Sequence, residues 1–427
     1  MSSFVLAPDG EAMAGSETLL AAVYRALDAT AWPWAVLRGG EDSVARGGDV
    51  DVLMDRRALD AVRSDLRRLG MAAVPAAGQG SHRFFVGFCE RQQRWVRLDV
   101  TTRVDFGPRQ EYLTPVADRV LERRVRVQQR WQLCDDDAFW HLFLHRFLGN
   151  RPVESLTLSL LAQHARPTGP LAGLIDSLET PGNSAGRLLA LVRDQQWAEL
   201  ADIRPELVRT WRSSHPASTL TRFMRRADRA RHALTSLRRP TGIAITIIGP
   251  DGAGKTTLAE GLRERLPFPS RYVYMGVWRE YPWDRWIRFV PGARLTMRMG
   301  RLLYRTAQAR YHRTRGRIVL LDRFTYDVLL PSANLDNRGR ITAWLVRRVC
   351  TEPELVIVLN APASLMWERK HEQGIDELER RRRTYLQIAE TRDFSVVIDA
   401  RQTIEQVRDE AEQAICARLR QHWDQLT

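Results

Sequence analysis

Along the 427-residue chain the spacing of apolar positions changes character twice. Up to about residue 133, short elements of both kinds alternate. Residues 17–30 carry a helical stripe, Trp32 to Leu37 and Trp95 to Val100 read as strands, and a third strand runs through Asp49-Val50-Asp51-Val52-Leu53-Met54-Asp55. From Asp135 to about Pro240 the period is helical, with Phe139, Trp140, Phe143, Leu144 and Phe147, then Leu156 to Leu161, then Leu188 to Val192. Beyond residue 241 the runs Ile243–Ile248, Arg271–Gly276, Arg317–Asp322, Glu354–Asn360 and Phe394–Ile398 alternate with helical segments at Thr257–Leu266, 362–390 and Ile404–Leu419. Continuous β-branched runs suit strands buried on both faces, and their alternation with helices predicts a doubly wound parallel α/β sheet. The expected division is 1–133, a mixed α+β domain; 134–240, a helical connector; and 241–427, the α/β domain.

Length supports more than one core, and 44% hydrophobic residues is a globular composition. The opening MSSFVLAPDGEAMAG lacks a basic region followed by an apolar run, and no 18 consecutive apolar residues occur, so a soluble cytoplasmic protein is expected. Cys89, Cys134, Cys350 and Cys416 are scattered, which predicts reduced thiols rather than a zinc site or disulfide framework. His141 and His145 have metal-ligand spacing, but without a third ligand a core role is expected. The formal charge of +14, nearly all arginine, calls for anionic partners, although a GC-rich coding sequence also enriches arginine. Two helical stretches concentrate it: Arg222 to Arg231, and a stripe of Arg294, Arg298, Arg301 and Arg305 that could meet a lipid headgroup or a polyphosphorylated acceptor. Nucleic acid is the less favoured partner. Peripheral membrane contact and homodimer formation stay open.

The chemistry starts at Gly249-Pro250-Asp251-Gly252-Ala253-Gly254-Lys255-Thr256-Thr257, a full match to G-x-x-x-x-G-K-[ST] between a strand and a helix. Glycines let backbone N–H groups turn towards an anion, the helix N-terminus adds partial positive charge, Lys255 reaches outer phosphates, and Thr256 offers a hydroxyl to Mg²⁺. Asp322 at the end of a second strand is placed to hold Mg²⁺ or orient an acceptor hydroxyl, and Arg323 beside it to clamp an anionic group. In the first domain, period-2 spacing puts Asp49 and Asp51 on one strand face, and Asp99 lies on another short strand. Neighbouring carboxylates repel unless a cation intervenes, which predicts a divalent metal site.

In order along the chain, the loop G-P-D-G-A-G-K-T-T, Asp322-Arg323-Phe324, a strand followed by a basic helical segment, and V-I-D-A with I-E-Q-V resemble the thymidylate kinase family over most of 241–427. That resemblance implies Mg·ATP held by Gly249, Asp251, Gly252, Ala253, Gly254, Lys255, Thr256 and Thr257. It also implies an acceptor met by Arg323, Mg²⁺ on Thr256 and Asp322, and a lid around Arg369, Arg380 and Arg381. The family's acidic-Pro-Gly turn is replaced by Met275-Gly276-Val277-Trp278, so the acceptor extends from a nucleoside monophosphate such as dTMP to a sugar, polyol or lipid-linked group in surface polysaccharide synthesis. An ATP-binding regulator acting on nucleic acid or membrane is the reading from a different class. The turn Arg38-Gly39-Gly40, the Asp49-x-Asp51 strand and Asp99 resemble the nucleotidyltransferase superfamily that includes DNA polymerase β. By that resemblance Asp49, Asp51 and Asp99 would hold metal, with Gly39, Gly40, Gly47 and Gly48 near a triphosphate.

Overall fold

A computed structural model describes residues 18–75, 81–108, 110–149, 151–178, 180, 182–214, 219–275, 293–322, 350, 352–371 and 373–426. The chain divides into two compact units, one ending at His232 and the other beginning at Ala233.

In the first unit, strands and helices alternate as α1 (Leu19–Ala29), β1 (Trp34–Arg38), α2 (Glu41–Ala45), β2 (Val50–Met54), α3 (Arg56–Arg68), β3 (Ala72–Ala73), β4 (Arg83–Cys89) and β5 (Arg94–Thr101). The hairpin β6 (Asp105–Phe106) and β7 (Tyr112–Leu113), α4 (Ala117–Glu122), β8 (Val125–Val127) and β9 (Arg130–Gln132) follow. Helices α5 (Asp135–Leu148), α6 (Leu156–His164), α7 (Pro170–Asp176), α8 (Ala185–Arg193), α9 (Trp197–Ser214) and α10 (Thr219–Arg238) complete the stretch, α10 running past the boundary. Seven strands form one mixed sheet in the order β3-β4-β5-β2-β1-β9-β8. Here β2 runs parallel to β5, and β1 parallel to β9.

The period-2 pattern of β2 sorts its residues onto two cores. Val50, Val52 and Met54 pack with Leu98 and Val100 against Leu20, Val23, Val62 and Leu66 of α1 and α3. On the opposite face, Leu53, Ala35 and Phe106 share one core with Phe139, Trp140, Phe143 and Phe147 of α5 and with Leu188, Leu200 and Trp211 of the later helices. The helical stretch therefore has no separate centre; it buries its stripes on the sheet, each large side chain contributing roughly 1.5–3 kcal/mol.

The second unit is built on β10 (Ala244–Ile248), α11 (Lys255–Arg265), β11 (Ser270–Tyr274), α12 (Ala293–Thr314), β12 (Ile318–Asp322), β13 (Leu355–Asn360), α13 (Ala363–Arg369), α14 (Ile375–Glu390), β14 (Ser395–Asp399) and α15 (Ile404–Asp424). Its five strands are ordered β11-β12-β10-β13-β14, every pairing parallel. On one face, Ala244, Ile248, Val319, Val356 and Val358 pack with Leu302 and Ala309 of α12 and Tyr385 and Ala389 of α14. The alternate residues Ile245 and Ile247 are buried on the other face, where α11 and α15 lie. This is a doubly wound parallel α/β architecture. Its strand runs are apolar throughout because both faces are covered.

Ion pairs tie the helices down. Arg265 of α11 reaches Asp409 at 2.9 Å and Glu412 at 3.3 Å on α15. Before β13, Glu354 pairs with Arg313, accepts from the Ala244 N–H at 2.7 Å, and offers its carbonyl to Arg418 at 2.7 Å.

Candidate functional site

In an open parallel sheet the crevice at the carboxyl ends of the strands is where ligands sit, and there the loop after β10 faces the end of β12. Gly254 has φ +94° and caps the N-terminus of α11, so the first N–H groups of that helix are presented beside the loop. Gly252, at φ +87°, lies so close to α13 that a Cβ there would sit 2.5 Å from the Met366 carbonyl. A side chain at either position is excluded by conformation, and at Gly252 by space as well. The Lys255 ammonium lies over the loop, donating to the carbonyls of Gly249 at 2.9 Å and Pro250 at 2.8 Å, and stands 3.5 Å from Asp251.

A cleft of about 890 Å³ opens from this loop. Gly252, Gly254, Lys255, Thr256 and Thr257 line it on the side of the loop. Tyr274 and Asp322 close one side, and Arg369, Lys370, Ala400, Gln402, Ile404 and Val407 the other. Asp322 and Tyr274 are direct neighbours across β12 and β11. The Tyr272 hydroxyl donates to the Asp322 carboxylate. A carboxylate oriented by a hydroxyl, across from a threonine in the first turn of α11, is a donor set that fits a hydrated Mg²⁺ shared with phosphate oxygens. Ala253 is buried and seats the loop on the fold, while Thr257 lines the cleft.

The basic residues of the expected lid divide by role. Arg369 donates to the Ala400 carbonyl at 3.3 and 3.4 Å and lines the cleft at the end away from Asp322. Arg381 bonds Glu377 at 2.9 Å and stands 3.9 Å from Asp251, which also accepts from Gln373 at 3.1 Å. Arg380 pairs with Glu377 on the exposed side of α14, and Arg383 with Glu379 at 3.0 Å. The expected single helical segment 362–390 is two helices, because the chain breaks at Lys370 and restarts after Gly374. Arg323 and the turn after Met275 lie outside the described residues. Tyr272, Tyr274, Lys370, Gln402 and Val407 were not singled out from sequence; the Tyr-x-Tyr alternation on β11 puts both tyrosines on one strand face without saying what they meet, and nothing local marks the other three.

In the first unit, Asp51 and Asp99 are paired neighbours on β2 and β5. A register slip in β1 between Val36 and Arg38 sets Arg38 opposite Asp51. Arg38 pairs with Asp51, Arg97 with Asp49 at 2.5 Å, and His82 Nδ1 with Asp99 at 2.7 Å. Burial pushes the Asp51 carboxyl above its ordinary range, against the pull of Arg38. Among the described residues no group of three His, Cys, Asp or Glu side chains is disposed to hold a metal ion. As these side chains stand, Asp49 and Asp51 are each met by an arginine and Asp99 by the His82 ring, and the set does not fit a pair of divalent ions. His141 and His145 stack on α5 with ring centroids 6.3 Å apart, in the core position expected.

The parallel sheet and the G-x-x-x-x-G-K-[ST] loop between β10 and α11 together define a P-loop α/β domain. No family model matches the chain, and no curated protein matches it. Among solved structures, a deoxyadenosine kinase from M. mycoides with bound dATP aligns at 16% identity and a TM-score of 0.31, covering 40% of this chain and 98% of that one. A second structure of that kinase, with dCMP and dCDP, aligns at 17% identity with the same TM-score and coverage.

Proposed function

We propose that the unit beginning at Ala233 is an ATP-dependent phosphotransferase of the thymidylate kinase-like kind, acting on a nucleoside monophosphate or a related small acceptor. The observation that carries this reading is that Lys255, Thr256 and Asp322 line one cleft of about 890 Å³, in which a donor nucleotide would lie along the loop and an acceptor beside Tyr274. Backbone N–H groups from Gly252 to Thr256 would cradle the donor phosphates, and Lys255 would leave the loop carbonyls to neutralise the transferring group. Thr256 and Asp322 would hold Mg²⁺, which when bound offsets charge on the phosphate oxygens. An acceptor oxygen then attacks the γ-phosphorus in line as the bond to the β–γ bridging oxygen breaks, releasing ADP. With a hydroxyl acceptor, Asp322 is the group placed to receive its proton. Arg323 is included in the proposal as the acceptor clamp, and Arg369 as a contact for the donor's base end.

Incubation with Mg·ATP and a panel of monophosphates and hydroxyl acceptors tests this. ADP should accumulate only with an acceptor present, and Lys255→Met should lower the rate on the order of 10²–10³-fold. ADP release indifferent to every acceptor would sink the kinase reading.

For the unit ending at His232 we propose a nucleotidyltransferase-like fold whose metal-ligand positions are compensated by Arg38, Arg97 and His82. The parallel pairing of Asp51 with Asp99 supports the likeness of fold. No step is assigned to it.

A further inference from the structure

Helix α12 does not present the face its sequence suggests. Of the arginine stripe, Arg301 and Arg305 are only half-exposed, and Arg305 lies over the Tyr274 ring with 5.4 Å to the centroid, towards the sheet. Leu302, Ala309 and His312 point the same way and are buried. The outward face carries Thr296, Gly300, Leu303, Tyr304, Ala307, Arg310 and Tyr311, and among the described side chains of that face Arg310 is the one charge. Leu303 is 53% exposed, Tyr304 70% and Tyr311 54%. A soluble helix normally turns such a stripe inward.

The patch extends beyond one helix. Arg310 donates to the Leu237 carbonyl at 3.0 Å, which sets the end of α10 beside α12 within the same unit. There Leu234 and Leu237 are 65% and 55% exposed. The exposed charges named beside these apolar side chains are basic: Arg238, Arg239, Arg310 and Arg315, whereas Glu354 is matched to the buried Arg313.

We infer that this face docks on a bilayer rich in anionic phospholipid. Three alternatives fit less well. Plain solvent gains nothing from exposed leucine and tyrosine. A second copy across a twofold axis would bring arginines against arginines with no carboxylate to meet them, and like-charge juxtaposition is costly. A nucleic acid would use the arginines, but three exposed leucines have no role against phosphate or base edges. An anionic bilayer uses every element: leucines enter the acyl boundary, the tyrosines sit with ring buried and hydroxyl wet at headgroup depth, and arginines meet lipid phosphates. No described helix is long and apolar enough to cross the membrane, so the attachment is peripheral. This inference is independent of the acceptor and of catalysis.

The test is flotation of the full chain with phosphatidylcholine vesicles and with vesicles containing phosphatidylglycerol. Two variants accompany it: Leu303→Ser with Tyr304→Ser and Tyr311→Ser, and Arg239→Glu with Arg315→Glu. All five positions are exposed, so both variants should melt with the wild type. The expected result is flotation with the anionic vesicles alone, weakened about tenfold or more by either variant. Equal flotation with both lipids, no flotation, or flotation unaffected by the variants overturns the inference. So does a dimer in light scattering that the serine variant dissolves, which would make the face a contact between copies. Binding to RNA or DNA that the glutamate variant abolishes and the serine variant leaves intact, without flotation, overturns it in favour of nucleic acid.

Discussion

Gly252 is where the nucleotide loop is least tolerant, for two reasons that add. Its φ of +87° disfavours any L side chain, and the Met366 carbonyl occupies the space a Cβ would need. Gly252→Ala should therefore cost on the order of 1–3 kcal/mol in local strain, and it should weaken Mg·ATP binding, measured by fluorescent-nucleotide titration, more than it lowers the melting temperature of the second unit. Arg38 permits the complementary experiment. If it neutralises Asp51 in place of a metal, Arg38→Ala should raise the affinity of the first unit for Mn²⁺, read by electron paramagnetic resonance of the free ion, while the wild type shows little binding. Wild-type binding as tight as the variant's would show that Arg38 yields its place to the ion. At this scale the sequence was informative where chemistry is local: the loop motif, Lys255, Thr256 and Asp322 converge as their spacing implies. It was silent on Tyr272 and Lys370, whose roles depend on which strand or helix lies beside them. It placed Asp49 and Asp51 on one strand face and Asp99 on another strand, but not their partners, because Arg38, His82 and Arg97 reach them through strand pairing and a register slip.

Among the elements, the strands buried on both faces were legible because apolar runs of that length have few other uses. β4 was not, since Phe84, Phe85, Val86 and Phe88 run together without an alternating polar face that would separate strand from helix. β8 and β9 are three residues each, too short to show a period, and β8 is the edge of the sheet, where the apolar signature is avoided. Helix α12 gives the opposite lesson: its arginines were visible as a stripe, but their direction is set by the fit of Leu302 and Ala309 onto β11 and β12. A stability test belongs here. Glu354 joins β13 to α12 and to the start of β10, and Arg313, its partner, is buried enough that its guanidinium is lowered to about 10. Removing one member of a buried pair strands the other, so Glu354→Ala should destabilise the second unit by about 3–5 kcal/mol in urea unfolding. A change below about 1 kcal/mol would mean that water already screens the pair.

The whole molecule, with two compact units, is expected to unfold in more than one step, and acid separates the steps. His141 is held at about 3 and His145 at about 4, against an ordinary 6.5, chiefly by burial and then by neighbouring positive groups: His145 and Arg38 for the first, Arg38, Arg151 and Arg146 for the second, with His82 acting on both. Both are neutral in the folded unit and take up protons more readily once unfolded. Stability from this source is therefore intact above about pH 6.5 and falls as the pH drops towards 4. Each unit of depression corresponds to about 1.4 kcal/mol. Scanning calorimetry from neutral to mildly acid pH should lower the transition of the first unit by the equivalent of a few kcal/mol, and His141→Gln should flatten that slope. An unchanged slope in the variant would assign the acid sensitivity elsewhere.

The chain contains only two lysines, Lys255 and Lys370, and both line the same cleft. Apart from the α-amino group, every primary amine of the protein is thus gathered at one place, while the rest of its positive charge is guanidinium, which amine-directed reagents do not acylate. A nucleotide acyl phosphate should deposit its label on the peptides containing these two residues and leave the rest of the chain unmarked, with ADP protecting both. Occupancy of the cleft then becomes a mass-spectrometric count of modified lysines, readable in a crude mixture before any acceptor is known.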